Sequence, residues 1–373
     1  MTQERQNILL YQLALHALGV DIDCAEKLFD VFDDIESFFT LDAGTLTRLA
    51  GFESPLFKTD KRREAFEKAQ REMEFIQKHS IRTLWFNDPY YPPLLRLCPD
   101  APILLFALGE IPMDVETHML SIVGTRHATA YGTSFTSTLV RSLADTLTTK
   151  PVIVSGLAYG IDVAAHRAAL ENHLPTIAVT AHGLNTIYHA VHRRDAARIV
   201  AEGGMILTEY FTQDRMYKGS FLQRNRIIAG LSQATVVVES DARGGALATA
   251  RLAEAYSREI FAVPGRNSDR YSSGCNQLIQ RGRAQILLDA AGLTQSLNWS
   301  VKKPTEASQP TLFPELSPKE KIVIDLITHQ GDASLEEIKR ATAETVSGVL
   351  NILGEMEFNN LVAQMPSGRY RIK

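Results

Sequence analysis

At 373 residues the chain is too long for a single hydrophobic core, so more than one domain is expected. Hydrophobic residues at 45% and charged residues at 22% suit an ordinary globular protein, and a net charge of −4 excludes a general electrostatic grip on nucleic acid. Three scattered cysteines (Cys24, Cys98, Cys275) exclude a disulfide framework, and the lack of a leader pattern or an ~18-residue apolar run points to the cytoplasm and away from a membrane.

Residues 1–80 read as a helical domain. Ile8, Leu9, Leu10, Leu13, Leu15 and Leu18 have helical spacing until Gly19, and helices over Ala25–Phe32, Ala43–Ala50 and Lys61–His79 follow. Turns near Gly19-Val20 and Ala50-Gly51-Phe52 suit a helix-hairpin-helix- or SAM-like unit. Its glycine pattern is incomplete and acidic residues (Asp21, Asp23, Asp33, Asp34, Glu36) crowd it. Packing or partner binding therefore stays open beside DNA contact. Thr83–Phe86 and Ile103–Phe106 are short β-like runs separated by proline-rich sequence, a lead-in that covers an edge of the next domain.

Residues 81–297 then alternate apolar runs with helices. Leu120–Val123, Val152–Val154, Thr176–Val179, Met205–Leu207, Thr235–Val238, Ile260–Val263 and Gln285–Leu288 read as strands, with helices such as Thr133–Leu147, Ile161–Glu171 and Ala246–Tyr256 between them. Continuous apolar strands separated by helices predict an α/β fold with a parallel sheet covered on both faces. No G-x-G-x-x-G follows the first strand and no Walker A loop exists, which disfavours an NAD enzyme or a P-loop NTPase. Residues 298–316 form a polar, proline-bearing linker. In 317–373, three helices closed by a hairpin across Pro366-Ser367-Gly368 give a winged-helix-like pattern. Its third helix carries Glu355 and Glu357 and few basic residues, which favours protein contact over groove reading.

The chemistry concentrates around Phe221-Leu222-Gln223-Arg224-Asn225-Arg226, a helix start bearing an aromatic and two arginines. An apolar strand follows, then the turn Asp241-Ala242-Arg243-Gly244-Gly245. Helix-start amides attract anions, glycines admit a ligand to the backbone, and arginine forks match phosphate oxygens. An aromatic beside them suits a base stack. Arg126, after Gly124-Thr125, either holds a phosphate or caps a helix; Lys218, Arg224 and Arg226 at neighbouring strand ends favour phosphate. Ser155-Gly156-Leu157-Ala158-Tyr159-Gly160 either cradles a phosphate or packs a helix tightly on a strand. Asp162 and His166 stand four apart, a spacing better suited to a helix-stabilising contact than to acid–base work. Glu209, Glu239 and Asp241 lie at strand ends without a nucleophile–base pair or a metal set, so no catalytic residue, metal or cofactor is expected.

Taken together, Ser121-Ile122-Val123-Gly124-Thr125-Arg126, Ser155–Asp162 with Ala165-His166, Arg224-Asn225-Arg226-Ile227-Ile228-Ala229-Gly230-Leu231, Val236-Val237-Val238-Glu239 and Phe261-Ala262-Val263-Pro264-Gly265 resemble the DNA-processing protein A (DprA/Smf) family. The resemblance covers about residues 83–290. It implies an extended Rossmann fold, a homodimer, binding of single-stranded DNA taken up in natural transformation, and loading of the RecA recombinase onto it. It places the family's pocket arginine at Arg126, its lysine at Lys218 and its base-contacting aromatic at Phe221, with backbone contacts from Ser155 and Gly156. With the residues read above, the expected DNA-binding set is Gly124, Arg126, Ser155, Gly156, Lys218, Phe221, Arg224, Asn225, Arg226, Arg243 and Gly244. Arg243-Gly244-Gly245 stands where Ser-Gly-Ser is usual, and Tyr188-His189 where Tyr-Pro is common. The alternative is a nucleotide-binding enzyme related to nucleoside-monophosphate phosphoribohydrolases. The Pro-Gly-Gly-x-Gly-Thr loop of those enzymes is absent from Asp241–Thr249.

Overall fold

The computed structural model describes residues 3–302 except 33 and 115, and residues 316–372 except 360 and 366. They divide into two compact units, Met1–Lys302 and Lys303–Lys373, and each is described by itself.

The first unit opens with helices α1 (Gln3–Ala17), α2 (Ile22–Val31), α3 (Ile35–Thr40), α4 (Ala43–Ala50) and α5 (Thr59–His79). Part of the acidic crowding has a local cause. Asp21, Asp34 and Asp42 cap α2, α3 and α4, each accepting a backbone N–H from the first turn. Gly51 ends α4 at φ 76°, a left-handed conformation that glycine adopts without a Cβ penalty. The helices seat on the rest of the unit through polar contacts. Glu72 accepts from Thr212 N and Oγ1 at 2.9 and 2.6 Å, Lys68 pairs with Asp214 at 2.6 Å, and His16 Nε2 lies 2.7 Å from the Glu209 carbonyl oxygen.

After β1 (Arg82–Trp85), the short α6 (Pro93–Arg96) and β2 (Leu104–Gly109), the strict alternation begins. It runs β3 (Met119–Val123), α7 (Ala130–Thr146), β4 (Val152–Ser155), α8 (Ile161–Glu171), β5 (Thr176–Val179), α9 (Arg193–Ala201), β6 (Met205–Thr208), α10 (Lys218–Leu231) and β7 (Ala234–Val237). It ends with α11 (Ala246–Ala255), β8 (Glu259–Ala262), α12 (Ser273–Gln280), β9 (Gln285–Ile286) and α13 (Ala290–Ser296). The nine-stranded sheet has the order β1-β2-β6-β5-β4-β3-β7-β8-β9. All neighbours from β6 to β9 run parallel, while β2 pairs antiparallel with β6 and β1 with β2. The two early β-runs therefore extend the sheet itself at its β6 edge.

Alternation along β3 shows how the sheet is covered. Leu120 and Ile122 join the core under α7 and α8, whereas Met119 and Val123 join the core on the α10 and α11 side. Ser121, wholly buried on the α10 side, donates to the Ile228 carbonyl at 2.7 Å. Residues 298–302, placed in the linker by their polarity, pack on this unit. Trp299 is buried against His118, with ring centroids 4.6 Å apart and planes at 3°, and Lys302 N bonds the Thr146 carbonyl at 2.7 Å. The remainder of the predicted linker, 303–315, lies outside the described residues.

The topology fixes where a ligand can sit. From β3 the chain lays β4, β5 and β6 successively on one side, then crosses to place β7 on the other, in register Val123↔Val237. The carboxyl ends of β3 and β7 are thus the topological switch point, where the connections diverge and leave a crevice.

The second unit runs α14 (Pro318–Gln330), β10 (Ala333–Ser334), α15 (Leu335–Thr342), α16 (Val346–Phe358), β11 (Val362–Gln364) and β12 (Arg369–Ile372), with sheet order β10-β12-β11. This is the winged-helix arrangement. It has its own core, including Val323, Ile327, Ile338, Val349, Leu353 and Tyr370. Capping boxes at Ser317/Glu320 and Ser334/Glu337 start α14 and α15. The strand β10 is too short to carry a period-2 signal, and the sequence reading missed it. Glu357 accepts the Gln364 N–H at 2.9 Å, which gives one of the two acidic residues of α16 a structural role.

Candidate nucleic-acid interface

Helix α10 leaves the β6 side of the sheet and reaches the switch point, and its 3.6-residue period sorts its side chains into two sets. Lys218, Phe221, Asn225 and Ile228 recur at three and four residues and share one face. With Leu222 and Arg224 they line a pocket of about 500 Å³. Thr125 and Arg126 after β3, Ala158 and Asp162 after β4, and Ser240, Asp241 and Gly244–Ala246 after β7 close it, with Tyr188 at one side. Gln223 and Arg226 belong to the other face and line a separate pocket beneath the N-terminal helices.

Within the first pocket the exposed Arg126 lays its guanidinium over the Phe221 ring, Cζ 5.2 Å from the centroid. Phe221 is half-buried, belongs to none of the hydrophobic core clusters, and touches Tyr188 edge-on at 5.5 Å. Lys218 stands exposed one turn before it. A cation stacked on a half-exposed aromatic, with a second cation one turn away, offers charge to a phosphate and a ring face to a base.

Below this rim lie buried charges. Arg224 is only 5% exposed; its Nη1 donates to the Val179 carbonyl and its Nε to Asn225 Oδ1 at 3.2 Å. Burial lowers its pKa, and the nearby Asp162 carboxyl opposes that shift. Asp162 is itself pushed up to about 6 by burial, against the pull of Arg224. A Cβ on Gly156 would collide with both Asp162 Oδ2 and the Arg224 guanidinium, so glycine there leaves room for the charges.

The Asp162 shift gives a pH prediction. Its folded-state pKa lies above the ordinary carboxylate value, so its stabilising contribution is full at low pH and lost as pH rises through about 6. Over the same interval the pocket gains a negative charge. Affinity for a phosphate strand is expected to rise from pH 7.5 to 5.5. Asp162→Asn should bind more tightly at pH 7.5, by as much as about tenfold, the equivalent of a one-unit pKa change on binding. Superimposable pH profiles for the two proteins would exclude Asp162 from the titration.

The expected residues thus separate. Arg126, Lys218, Phe221, Arg224, Asn225 and Gly244 line one pocket. Arg243 stands exposed between the lining residues Asp241 and Gly244. Gly124, Ser155 and Gly156 are not among the lining residues, and each makes a close packing contact. A Cβ on Gly124 would strike Ile161 of α8, Ser155 Oγ donates to the Ile122 carbonyl at 2.6 Å, and Gly156 O lies 2.6 Å from His166 Nε2. Arg226 lies outside the pocket. Its Nη2 pairs with Glu209 Oε2, the two side chains being 12% and 7% exposed. His166, both nitrogens hydrogen-bonded and its pKa lowered to about 4 by burial, is a neutral core group.

The remaining strand-end carboxylates are also engaged. Glu239 accepts from Thr129 N and Oγ1 at 2.9 and 2.5 Å, and Asp241 pairs with Arg270 at 2.6 Å. Among the described residues no group of three or more His, Cys, Asp or Glu side chains is placed to hold a metal ion. Among the lining residues that sequence reasoning left out of the binding set are the exposed Leu222 and Tyr188. Leu222, a leucine 55% exposed, follows Phe221 directly, and that adjacency was the available signal.

The profile of the family described as DNA recombination-mediator protein A matches residues 82–298. A putative DNA processing protein DprA of Mycobacterium tuberculosis is 34% identical over 331 residues, 84% of this chain and 82% of that one. The crystal structure of DNA processing protein A from Streptococcus pneumoniae superimposes with TM-score 0.62 at 29% identity, covering 80% of this chain and 99% of the other. DNA processing protein A from Helicobacter pylori, whose structure was described for its single-stranded DNA binding mode, gives TM-score 0.52 at 31% identity over 59% of this chain and 97% of its own. This chain belongs to the DNA recombination-mediator protein A (DprA/Smf) family.

Proposed function

We propose that this protein binds single-stranded DNA in the pocket at the switch point, protects it during natural transformation, and passes it to the RecA recombinase. The observation that carries the reading is the Arg126 guanidinium stacked on the half-exposed Phe221, with Lys218 on the same rim. Duplex bases are already stacked, so an aromatic can take a base only from a free strand. The single-stranded DNA binding described for the Helicobacter pylori relative supports the same ligand class. RecA as partner, a homodimeric state and action in the cytoplasm are supported by family membership, and no helix among the described residues is long and apolar enough to cross a membrane. A binding rather than catalytic role is supported by the engagement of Glu209, Glu239 and Asp241 in ion pairs and a helix cap. Hydrolysis of a nucleoside monophosphate by the purified protein would favour the enzyme reading instead.

Binding of oligothymidine across a salt series tests the proposal. Phosphate contacts carry no sequence information, so Arg126→Ala and Lys218→Ala should weaken all single strands alike. Each should lower the slope of log affinity against log salt by about 0.7. Unchanged slopes in both would remove these residues from the interface.

A further inference from the structure

A row of ring contacts leaves the pocket from Phe221. Its ring meets Tyr188 at 5.5 Å, Tyr188 meets His189 at 4.3 Å, His189 meets Tyr159 at 4.5 Å, and Tyr159 meets His192 at 4.7 Å. Aromatic rows of this kind normally lie in a core, where each ring is covered. Here Tyr188 and Tyr159 are 48% and 43% exposed. The neighbouring rings meet at 56–61°, so the row is stepped, and each exposed tyrosine keeps free ring surface.

The charge around the row is of one prevailing sign. Arg126, which caps the Phe221 end, also lines a second groove of about 480 Å³ with His127, Tyr159 and Arg167. Arg193 and Arg194, exposed at the start of α9, follow His192 directly. Asp195 engages Arg167 at 2.8 and 3.0 Å and Glu171 lines the same groove, so the free positive charge comes chiefly from Arg126, Arg193 and Arg194. In a chain of net charge −4 this concentration is local. Stepped aromatic faces between arginines are the arrangement that tracks a single strand without reading its sequence. A duplex edge offers no free base to such faces, and its bases would have to be unstacked first.

We propose that Tyr188 and Tyr159 form a second stacking platform, over which a single-stranded nucleic acid continues from the Phe221 pocket toward the groove beside α8. The inference rests on the reading of that pocket as a single-strand site. It adds a direction for the strand and a larger footprint.

Two lengths of oligothymidine separate the two claims. A strand of about four residues fits the pocket alone, and one of about twelve can reach the platform, both within the range of single-strand site sizes. Tyr159→Leu and Tyr188→Leu keep much of the side-chain volume and remove the ring. Tyr159→Leu should weaken the long strand by about fivefold or more, the lower end for one base–aromatic stack, and leave the short strand within about twofold; Tyr188→Leu, which also takes a ring from the pocket wall, should weaken both lengths. Phe221→Ala should weaken both lengths. The wild-type protein gives a direct reading: irradiation with a long strand carrying 5-iododeoxyuridine should label Tyr159 and Tyr188. If the wild type binds neither length, the pocket reading fails. If it binds both but Tyr159→Leu matches it, or weakens both lengths equally, the platform is wrong and the pocket stands. Absence of label on both tyrosines overturns the platform even where a variant fails to fold.

Discussion

Arg226→Ala is expected to lower the stability of the first unit by about 3–5 kcal/mol, the usual cost of removing one partner from a buried ion pair. The Glu209 carboxylate left behind is 6% exposed, and burial already pushes its pKa up against the attraction of Arg226. Without the guanidinium that pKa must rise further. The loss should therefore be larger at pH 8 than at pH 5, where Glu209 can take up a proton. Replacing both partners, as Arg226→Met with Glu209→Gln, should recover most of the loss, because no uncompensated charge remains. Denaturant unfolding of the single and double variants measures this directly. Oligothymidine affinity of the folded fraction should stay near that of the wild type. A variant that unfolds like the wild type but loses salt dependence would place Arg226 at the DNA after all.

Arg226 also shows where sequence reasoning could have gone further. Arg224 and Arg226 form one basic cluster in the linear sequence, yet two residues of an α-helix lie about 200° apart. They cannot share a face. One sits under the pocket and the other beneath the N-terminal helices. The helical period alone separates them, and it also groups Lys218, Phe221, Asn225 and Ile228 as a single face. By contrast, the glycine-rich turns were ambiguous for a physical reason. A glycine after a strand serves close approach, whether of a ligand or of a neighbouring element, and local sequence does not say which. At Gly124 the neighbour is Ile161, and at Gly156 it is the Asp162–Arg224 pair.

The parallel sheet was legible because strands buried on both faces are apolar at nearly every position: Leu120–Val123 and Thr235–Val238 each carry one small polar residue, Ser121 and Thr235, and both of these are buried. The terminal β9 was legible too, within Gln285–Leu288, although it spans only Gln285–Ile286 and both residues are exposed; the apolar signal came from the following leucines. The antiparallel β1 and β2 join through long-range pairing, Trp85↔Leu104, that no local pattern encodes. Trp299 is a similar case. A polar neighbourhood suggested a linker, but one buried indole stacked on His118 ties residues 298–302 to the sheet unit.

Phe221→Ala is expected to cost about 1–3 kcal/mol in affinity for single-stranded DNA, the scale of one base–aromatic stack. That is roughly a five- to 150-fold loss. Duplex affinity should change little, since a paired base has no free face to offer. The salt slope should also hold, because no charge is removed, and this separates the variant from Arg126→Ala. The competing expectation is that Phe221 starts a core helix, so that alanine would leave a cavity costing about 3–5 kcal/mol of stability. The geometry argues against that outcome. Phe221 is half-buried, its neighbour Leu222 is 55% exposed, and the ring contacts are the Arg126 guanidinium and the edge of Tyr188 rather than core side chains. A small shift in melting temperature with a large loss of single-strand affinity is therefore the expected pair of results. A strongly destabilised variant with normal affinity would return Phe221 to the core and leave the pocket without its stacking face.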